Sequence, residues 1–380
     1  MLLVGGGVAS VRCARTLRRH GFDGRIVLVG AERTLPYNRP PLSKELLREA
    51  LRDELVLAEP ESWYARRDVD LRLATTIAAL DVAARTATLA DGRTISFERC
   101  LLATGAEPRR LPIDGTDRAL LLRTIGDSRA IRAAAHRGSR AVVVGGGFIG
   151  VEVASSLATL GVDVTVAEMS PELWGGALGR SLSAWAGDRL RAAGITVLNG
   201  AAADAIEPDG VRVAGALLPA ELVVAGIGVI PRVELARDAG LDVDDGIITD
   251  ARHETSAPGI YAAGDVARVD GLRFEHWHAA REGGERAALS MLGQPATARR
   301  APWAFSEVAG IALDVFGLAA AWDEERWVRP GSVLAYLAGD RVVQLAVIGS
   351  ALAPEVARGH LEAGTTYATL ERSLTSAPSV

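Results

Sequence analysis

Lysine is almost missing from this chain: of its 42 Lys and Arg residues a single one, Lys44, is lysine. A coding bias toward arginine accounts for the background. A lone lysine kept within it marks a position where a compact ammonium differs from a guanidinium in shape, hydration and pKa tuning. Cysteine is nearly as scarce. Cys13 and Cys100 form no close pair, which excludes a disulfide framework and a CxxC redox or zinc motif and fits a reducing cytoplasm. No apolar run reaches the roughly 18 residues a membrane span needs, and the opening MLLVGGG lacks the basic region of a secretory signal. No basic block stands out against a formal net charge of −5, which sets aside general nucleic-acid binding. What is present is ordinary soluble material: 380 residues, 49% hydrophobic and 23% charged, enough for two or three domains with cores of their own.

Two stretches repeat one pattern. LLVGGGVAS (residues 2–10) and AVVVGGGFIG (residues 141–150) are each a short apolar strand breaking into glycines and then into a helix. In the second, Gly145, Gly147 and Gly150 complete the GxGxxG spacing: a tight turn, a close backbone approach to a pyrophosphate, and close helix–strand packing. The helix start adds free N–H groups and a positive dipole end. Glu168 ends the following strand, where a carboxylate would grip a ribose hydroxyl. The first copy keeps Gly5 and Gly7 but has Ser10 in the third position, small enough to preserve the packing, and Glu32 stands where its ribose acid belongs. A carboxylate at both places favours a free 2′-hydroxyl over a 2′-phosphate. Two such turns call for two dinucleotides, and two redox dinucleotides face to face most simply exchange a hydride.

Between the βαβ units lie a Pro-rich loop, LPYNRPPLSK, and hairpin-like segments such as TATLADGRTISFERCLLAT. From residue 301 onward the pattern changes to short strands and one helix near 354–363. No further repeat and no low-complexity tract appears.

PYNRPPLSK, LLATGAEPRRLP, LRTIGDSRAIR, VVVGGGFIGVE, VVAGIGVIPRVELARDAGL, TSAPGIYAAGDVA and EHWHAAREGG together resemble the FAD-dependent pyridine-nucleotide reductases. The likeness is greatest to the ferredoxin, putidaredoxin and rubredoxin reductases that serve cytochromes P450 and Rieske dioxygenases, and it spans essentially the whole chain. The resemblance implies an α/β fold of glutathione-reductase-like architecture. Two doubly wound, Rossmann-like nucleotide-binding domains, one inserted in the other, would be followed by a C-terminal α+β domain. The FAD domain would comprise residues 1–107 and 227–301, the NAD domain 108–226 and the interface domain 302–380. It assigns Gly5, Gly7, Ser10, Glu32, Arg39, Lys44, Thr104, Asp265 and Trp277 to FAD, with Asp265 at a ribityl hydroxyl, and Gly145, Gly147, Gly150 and Glu168 to NADH. Lys44 and Glu152 would meet beside the flavin ring as the catalytic pair. Electrons would pass from NADH through FAD to a small iron–sulfur protein, a ferredoxin, in the cytoplasm, with the reductase a monomer or homodimer that needs no membrane and no metal. His276 and His278 flank Trp277 without the carboxylate or cysteine company of a metal site.

The departures are as informative. Disulfide-reducing relatives carry a cysteine pair near the flavin, and a peroxidase and oxidase branch carries one close to the position of Ser43; neither is present. The C-terminal motif of ferredoxin reductases, Pro-Tyr/Trp-Phe-Trp-Ser-Asp-Gln, reads Pro302-Trp303-Ala304-Phe305-Ser306-Glu307-Val308 here. Phe305 replaces the tryptophan near the flavin and Glu307-Val308 replaces Asp-Gln, changes expected to bear on the acceptor side. Two other readings stay open: a flavoenzyme that acts directly on a small molecule or O₂, and a flavoprotein whose binding partners change with its redox state.

Overall fold

Leu2–Val4 is three residues long and wholly buried, which fits a strand covered on both faces of a parallel sheet. In the computed structural model, which describes residues 1–49, 51–296 and 298–375, it forms the centre of a five-stranded sheet. The order is Ile260–Ala262, Cys100–Leu102, Leu2–Val4, Ile26–Val29, Val69–Arg72, parallel throughout. The crossover helix Val8–Arg19 turns Ala9, Val11, Cys13, Ala14 and Leu17 inward, while Arg15 and Arg19 stay exposed. A second helix, Trp277–Met291, buries Ala280, Ala287, Ala288 and Met291 in the same core. Burial pushes the Cys13 and Cys100 thiols far up from their ordinary pKa, so neither is available as a thiolate. These elements belong to the first of two compact units, Met1–Arg39, Arg52–Glu107 and Val229–Ala298.

The second unit comprises Pro40–Leu51, Pro108–Gly228 and Arg299–Val380. Its parallel sheet runs Thr196–Asn199, Asp163–Glu168, Arg140–Val144, Leu222–Ala225, Leu120–Leu121, with the helix Phe148–Thr159 as the crossover after the second glycine turn. The chain therefore leaves the first unit after Glu107 and returns at Val229, so one nucleotide-type sheet is inserted within the other. The C-terminal part is an antiparallel sheet in the order Trp303–Val308, Ile311–Phe316, Arg341–Ile348, Val333–Ala338, Glu324–Arg329. Two helices follow it, Pro354–Glu362 and Tyr367–Thr375, where the sequence pattern predicted one.

Residues 40–51 pack with the second unit although they follow directly on the first βαβ. Leu42, Leu46 and Leu47 are buried there, and side-chain hydrogen bonds join the segment: Ser128 Oγ donates to the Leu42 carbonyl (2.7 Å), Ser156 Oγ to that of Ser43 (2.6 Å) and Arg132 to that of Leu47 (2.6 Å).

Candidate functional site

The first glycine turn is fixed from behind. Gly5 donates to the Val29 carbonyl (2.8 Å) and has φ 120°, and a Cβ there would lie 2.0 Å from the Ala103 oxygen. Apart from its chain neighbours and its own helix backbone, no atom of the described residues lies within 4 Å of the Cβ position of Gly7, and Gly7 caps the helix without a side-chain hydrogen bond. Open space beside uncapped N–H groups at a helix start is a fit for a pyrophosphate. Ser10 is fully buried and its hydroxyl has no partner among the described residues, so it packs inside the fold. The Thr104 backbone lies directly behind Gly5, and its hydroxyl donates to the Arg232 carbonyl (2.7 Å).

Around this turn several residues assigned to FAD are joined to one another. Tyr37 donates its phenolic proton to Glu32 Oε2 (2.7 Å), and Arg39 donates to Glu32 Oε1 (3.1 Å) and to the Tyr37 oxygen (3.0 Å). Burial works against the charge of Arg39, and Tyr37 and Glu32 more than offset it, leaving its pKa above the ordinary value; the Asp265 carboxylate adds to this. Trp277 begins its helix, donates from the indole to Asn38 Oδ1 (2.8 Å), and carries the Arg281 guanidinium over its ring at 4.9 Å. Burial pulls the His276 pKa below its usual value against the influence of Asp265. Among the described residues no group of three or more His, Cys, Asp or Glu is placed to hold a metal ion.

The second turn repeats the frame with different detail. Gly145 has φ 106°, and a Cβ on it would lie 2.5 Å from the Gly226 oxygen. Beside Gly147, which caps its helix without a side-chain bond, the nearest atom to a Cβ would be that same oxygen at 3.6 Å. Gly150 sits so tightly that a Cβ would fall 1.9 Å from the Gly145 oxygen. Glu168 is buried at the strand end and folds back on the turn, accepting from Gly146 N (2.5 Å) and Ser170 N (2.7 Å). Its carboxylate is oriented before any ligand arrives.

The lone lysine lies in the same unit. Lys44 Nζ is 3.0 Å from Glu152 Oε2, with the two side chains 10% and 7% exposed, so this is a buried ion pair. Glu152 also accepts from Ser43 Oγ (2.5 Å) and Ser306 Oγ (2.7 Å). One carboxylate thus receives an ammonium and two hydroxyls, the company a buried charge needs. The Phe305 ring lies 5.6 Å from Lys44 Nζ, and Glu307 pairs with Arg48. The strand Trp303–Val308, expected from its altered motif to bear on the acceptor side, is bonded into the surroundings of the lysine. Sequence reasoning missed Tyr37, Asn38, Ser43, Arg48 and the hydroxyl role of Ser306. The first four lie within a few residues of Arg39 and Lys44, a signal that could have been used. Nothing local connects Ser306 to a glutamate 154 positions away.

A family model described as pyridine nucleotide-disulphide oxidoreductase matches residues 1–284. The chain is 38% identical over 327 residues to the ferredoxin–NAD(+) reductase component of the biphenyl dioxygenase system of Paraburkholderia xenovorans (strain LB400), covering 83% of this chain and 80% of that protein. It is 34% identical over 367 residues to putidaredoxin reductase of Pseudomonas putida, with 90% and 87% covered. Among solved structures, a covalent putidaredoxin reductase–putidaredoxin complex matches with a TM-score of 0.91 at 30% identity, over 99% of this chain and 97% of that one.

Proposed function

The chain belongs to the pyridine nucleotide-disulphide oxidoreductase family, and from that premise we propose that it is an NADH-dependent FAD reductase. Its electrons pass to a small iron–sulfur protein of the ferredoxin type that serves a P450 or a dioxygenase. The observation that carries this reading is the likeness to such reductases over at least four-fifths of both partners, in a chain with two intact nucleotide turns.

The turn Gly5–Ser10 receives the FAD pyrophosphate and Glu32 its ribose, with Arg39 and Tyr37 holding the acid in place. Thr104, Asp265 and Trp277 complete the flavin contacts. Bound FAD supplies the conversion between a two-electron hydride donor and a one-electron acceptor. Gly145, Gly147 and Gly150 receive NADH, and Glu168 takes a 2′-hydroxyl that a 2′-phosphate would replace with like-charge repulsion. Lys44 keeps an ammonium fixed by Glu152, with Ser43 and Ser306 orienting the carboxylate. A charge positioned in advance in a dry site stabilises a developing negative charge without reorganisation. We assign residues 1–107 and 227–301 to FAD binding, 108–226 to NADH and 302–380 to the acceptor side, and place the enzyme in the cytoplasm. Among the described residues no helix is long and apolar enough to cross a membrane.

The test is anaerobic reduction by NADH followed by mixing with a panel of [2Fe–2S] ferredoxins, O₂ and quinones. The proposal expects the yellow protein to bleach with NADH and to be reoxidised fastest by a ferredoxin. Fastest reoxidation by O₂ or a quinone overturns it in favour of direct action on a small molecule. A redox-dependent change of oligomeric state with negligible turnover overturns it in favour of a binding role.

A further inference from the structure

Trp174 carries two conformational costs at once. It follows Leu173 in the loop after Glu168 and has φ 60° and ψ 18°, a left-handed backbone that bulky side chains rarely adopt. Its indole is buried at 6% exposure, yet among the described residues the Nε1–H has no acceptor, and a buried donor left unpaired is costly. Residues under such strain persist where the surroundings hold them, and they gather at ligand sites and switches.

Those surroundings are the second glycine turn. Trp174 N donates to the Gly146 carbonyl (2.9 Å), its ring lies 6.0 Å from that of Phe148, and a Cβ on Gly146 would meet Leu173 Cδ2 at 2.6 Å. Gly175 and Gly176 follow with φ 59° and 78°, and two glycines in succession can absorb a backbone rearrangement at little steric expense. The loop is thus pinned to the phosphate-binding turn at one end and hinged immediately beyond it.

We propose that Trp174 is a nucleotide-binding residue. When NADH settles on Gly145–Gly150, residues 173–176 re-seat on the Gly175–Gly176 hinge and the indole N–H donates to a phosphate or ribose oxygen of the nucleotide. This rests on the reading that the second turn holds NADH. An indole both fills this buried space and donates, whereas phenyl and aliphatic side chains fill space but donate nothing.

The experiment is calorimetric titration of the FAD-loaded protein with NAD⁺, comparing the parent, Trp174→Phe and Trp174→Leu. FAD content, melting temperature and tryptophan emission are followed alongside. Trp174→Phe is expected to weaken NAD⁺ binding by roughly tenfold or more, the size of one hydrogen bond to a charged acceptor. FAD content and melting temperature stay at parental values, KM for NADH rises without loss of kcat, and the NAD⁺-dependent part of the tryptophan emission disappears. Parental affinity in Trp174→Phe overturns the inference, and so does a loss confined to Trp174→Leu, which would make the ring mere packing. A parent that binds no NAD⁺ overturns the reading of the turn itself, so the two failures are told apart.

Discussion

The two glycine turns share a backbone plan and differ in what surrounds their acids. Glu32 is 39% exposed at its side chain and is held by the side chains of Arg39 and Tyr37. Glu168 is buried and is held by backbone N–H groups of its own turn and loop. The first acid is paired with a cation; the second accepts from two backbone amides. The helices diverge too. Seven residues beyond the first glycine stands Arg12 in one copy, paired with Glu285 at a part-exposed site. The other copy has Glu152 there, buried against Lys44. One helix position therefore anchors packing in one repeat and holds a buried charge in the other, so the βαβ frame alone does not fix a residue's role.

The third position of the fingerprint gives the sharpest way to break this comparison. Ser10 carries a side chain where Gly150 tolerates none, since a Cβ there would fall 1.9 Å from the Gly145 oxygen. Gly150→Ala should lower stability by about 1–3 kcal/mol through overpacking and abolish NAD⁺ binding while FAD is retained. Ser10→Ala, which removes a buried hydroxyl without a partner, should be neutral or stabilising by about 1 kcal/mol. Thermal melts and NAD⁺ titration of the two variants decide it. If Gly150→Ala melts and binds like the parent, the close approach is not a constraint.

The next effect concerns the acids. Glu168→Gln replaces one of two acceptors with an NH₂ group that faces a backbone N–H. The preference for NADH over NADPH should fall by roughly tenfold to a thousandfold, the worth of an unpaired or repelled polar group. Glu32→Gln should instead lower FAD retention and leave that preference alone. The ratio of kcat/KM for the two cofactors and the flavin absorbance of the purified variants separate the outcomes, and identical behaviour of the two variants would erase the distinction between the turns.

Both glycine turns were legible as strand–turn–helix elements because their signals are local: glycines at fixed spacing and a carboxylate at the end of the following strand. The partners of those residues were not. Ser306 meets Glu152 across 154 positions and Glu307 meets Arg48 across 259, and such contacts are set by how strands and helices pack rather than by neighbours in the chain. The membership of residues 40–51 in the second unit was hidden for the same reason, since bonds to residues 85 to 259 positions away, among them those of Ser128, Arg132, Ser156, Glu152 and Glu307, tie it there. The second terminal helix, Tyr367–Thr375, buries Leu370 and Leu374, but its Ser- and Thr-bearing sequence lacks the helix-start Pro that marks Pro354–Glu362. Trp174 gave no sign at all, because left-handed backbone at a tryptophan is imposed by its surroundings.

The third prediction extends the comparison from the turns to the position seven residues on. Lys44→Met leaves Glu152 buried without its cation, at about 3–5 kcal/mol for breaking such a pair. Lys44→Arg keeps the charge but not the shape. Both should slow flavin reduction by NADH, roughly tenfold to a hundredfold, at or below the usual effect of losing one preorganised donor. Anaerobic stopped-flow measures it. A parental rate in Lys44→Arg would reduce the lone lysine to a coding accident.

The smallest effect belongs to the altered motif. Phe305 faces Lys44 from 5.6 Å and Glu307 pairs with Arg48, while Ser306, between them, holds Glu152. Phe305→Trp with Glu307→Asp leaves the serine hydroxyl and the ion pair of Lys44 in place, and changes the ring over the ammonium and the length of one acidic arm. A cation–π contact reaches about 2 kcal/mol when desolvated. Because Trp also offers a π-face to the ammonium, only a fraction of that changes, about 0.5–1 kcal/mol, so the rate of flavin reduction should move by no more than about two- to fivefold. An indole offers a larger surface and a donor N–H where relatives present one, so turnover with different ferredoxins should change in rank. Steady-state cytochrome c reduction through two ferredoxins, beside anaerobic stopped-flow, reads the halves separately. If flavin reduction falls as far as in Lys44→Met while the ferredoxin rank is unchanged, the motif serves the lysine alone. In that case the acceptor docks on side chains outside the strand Trp303–Val308.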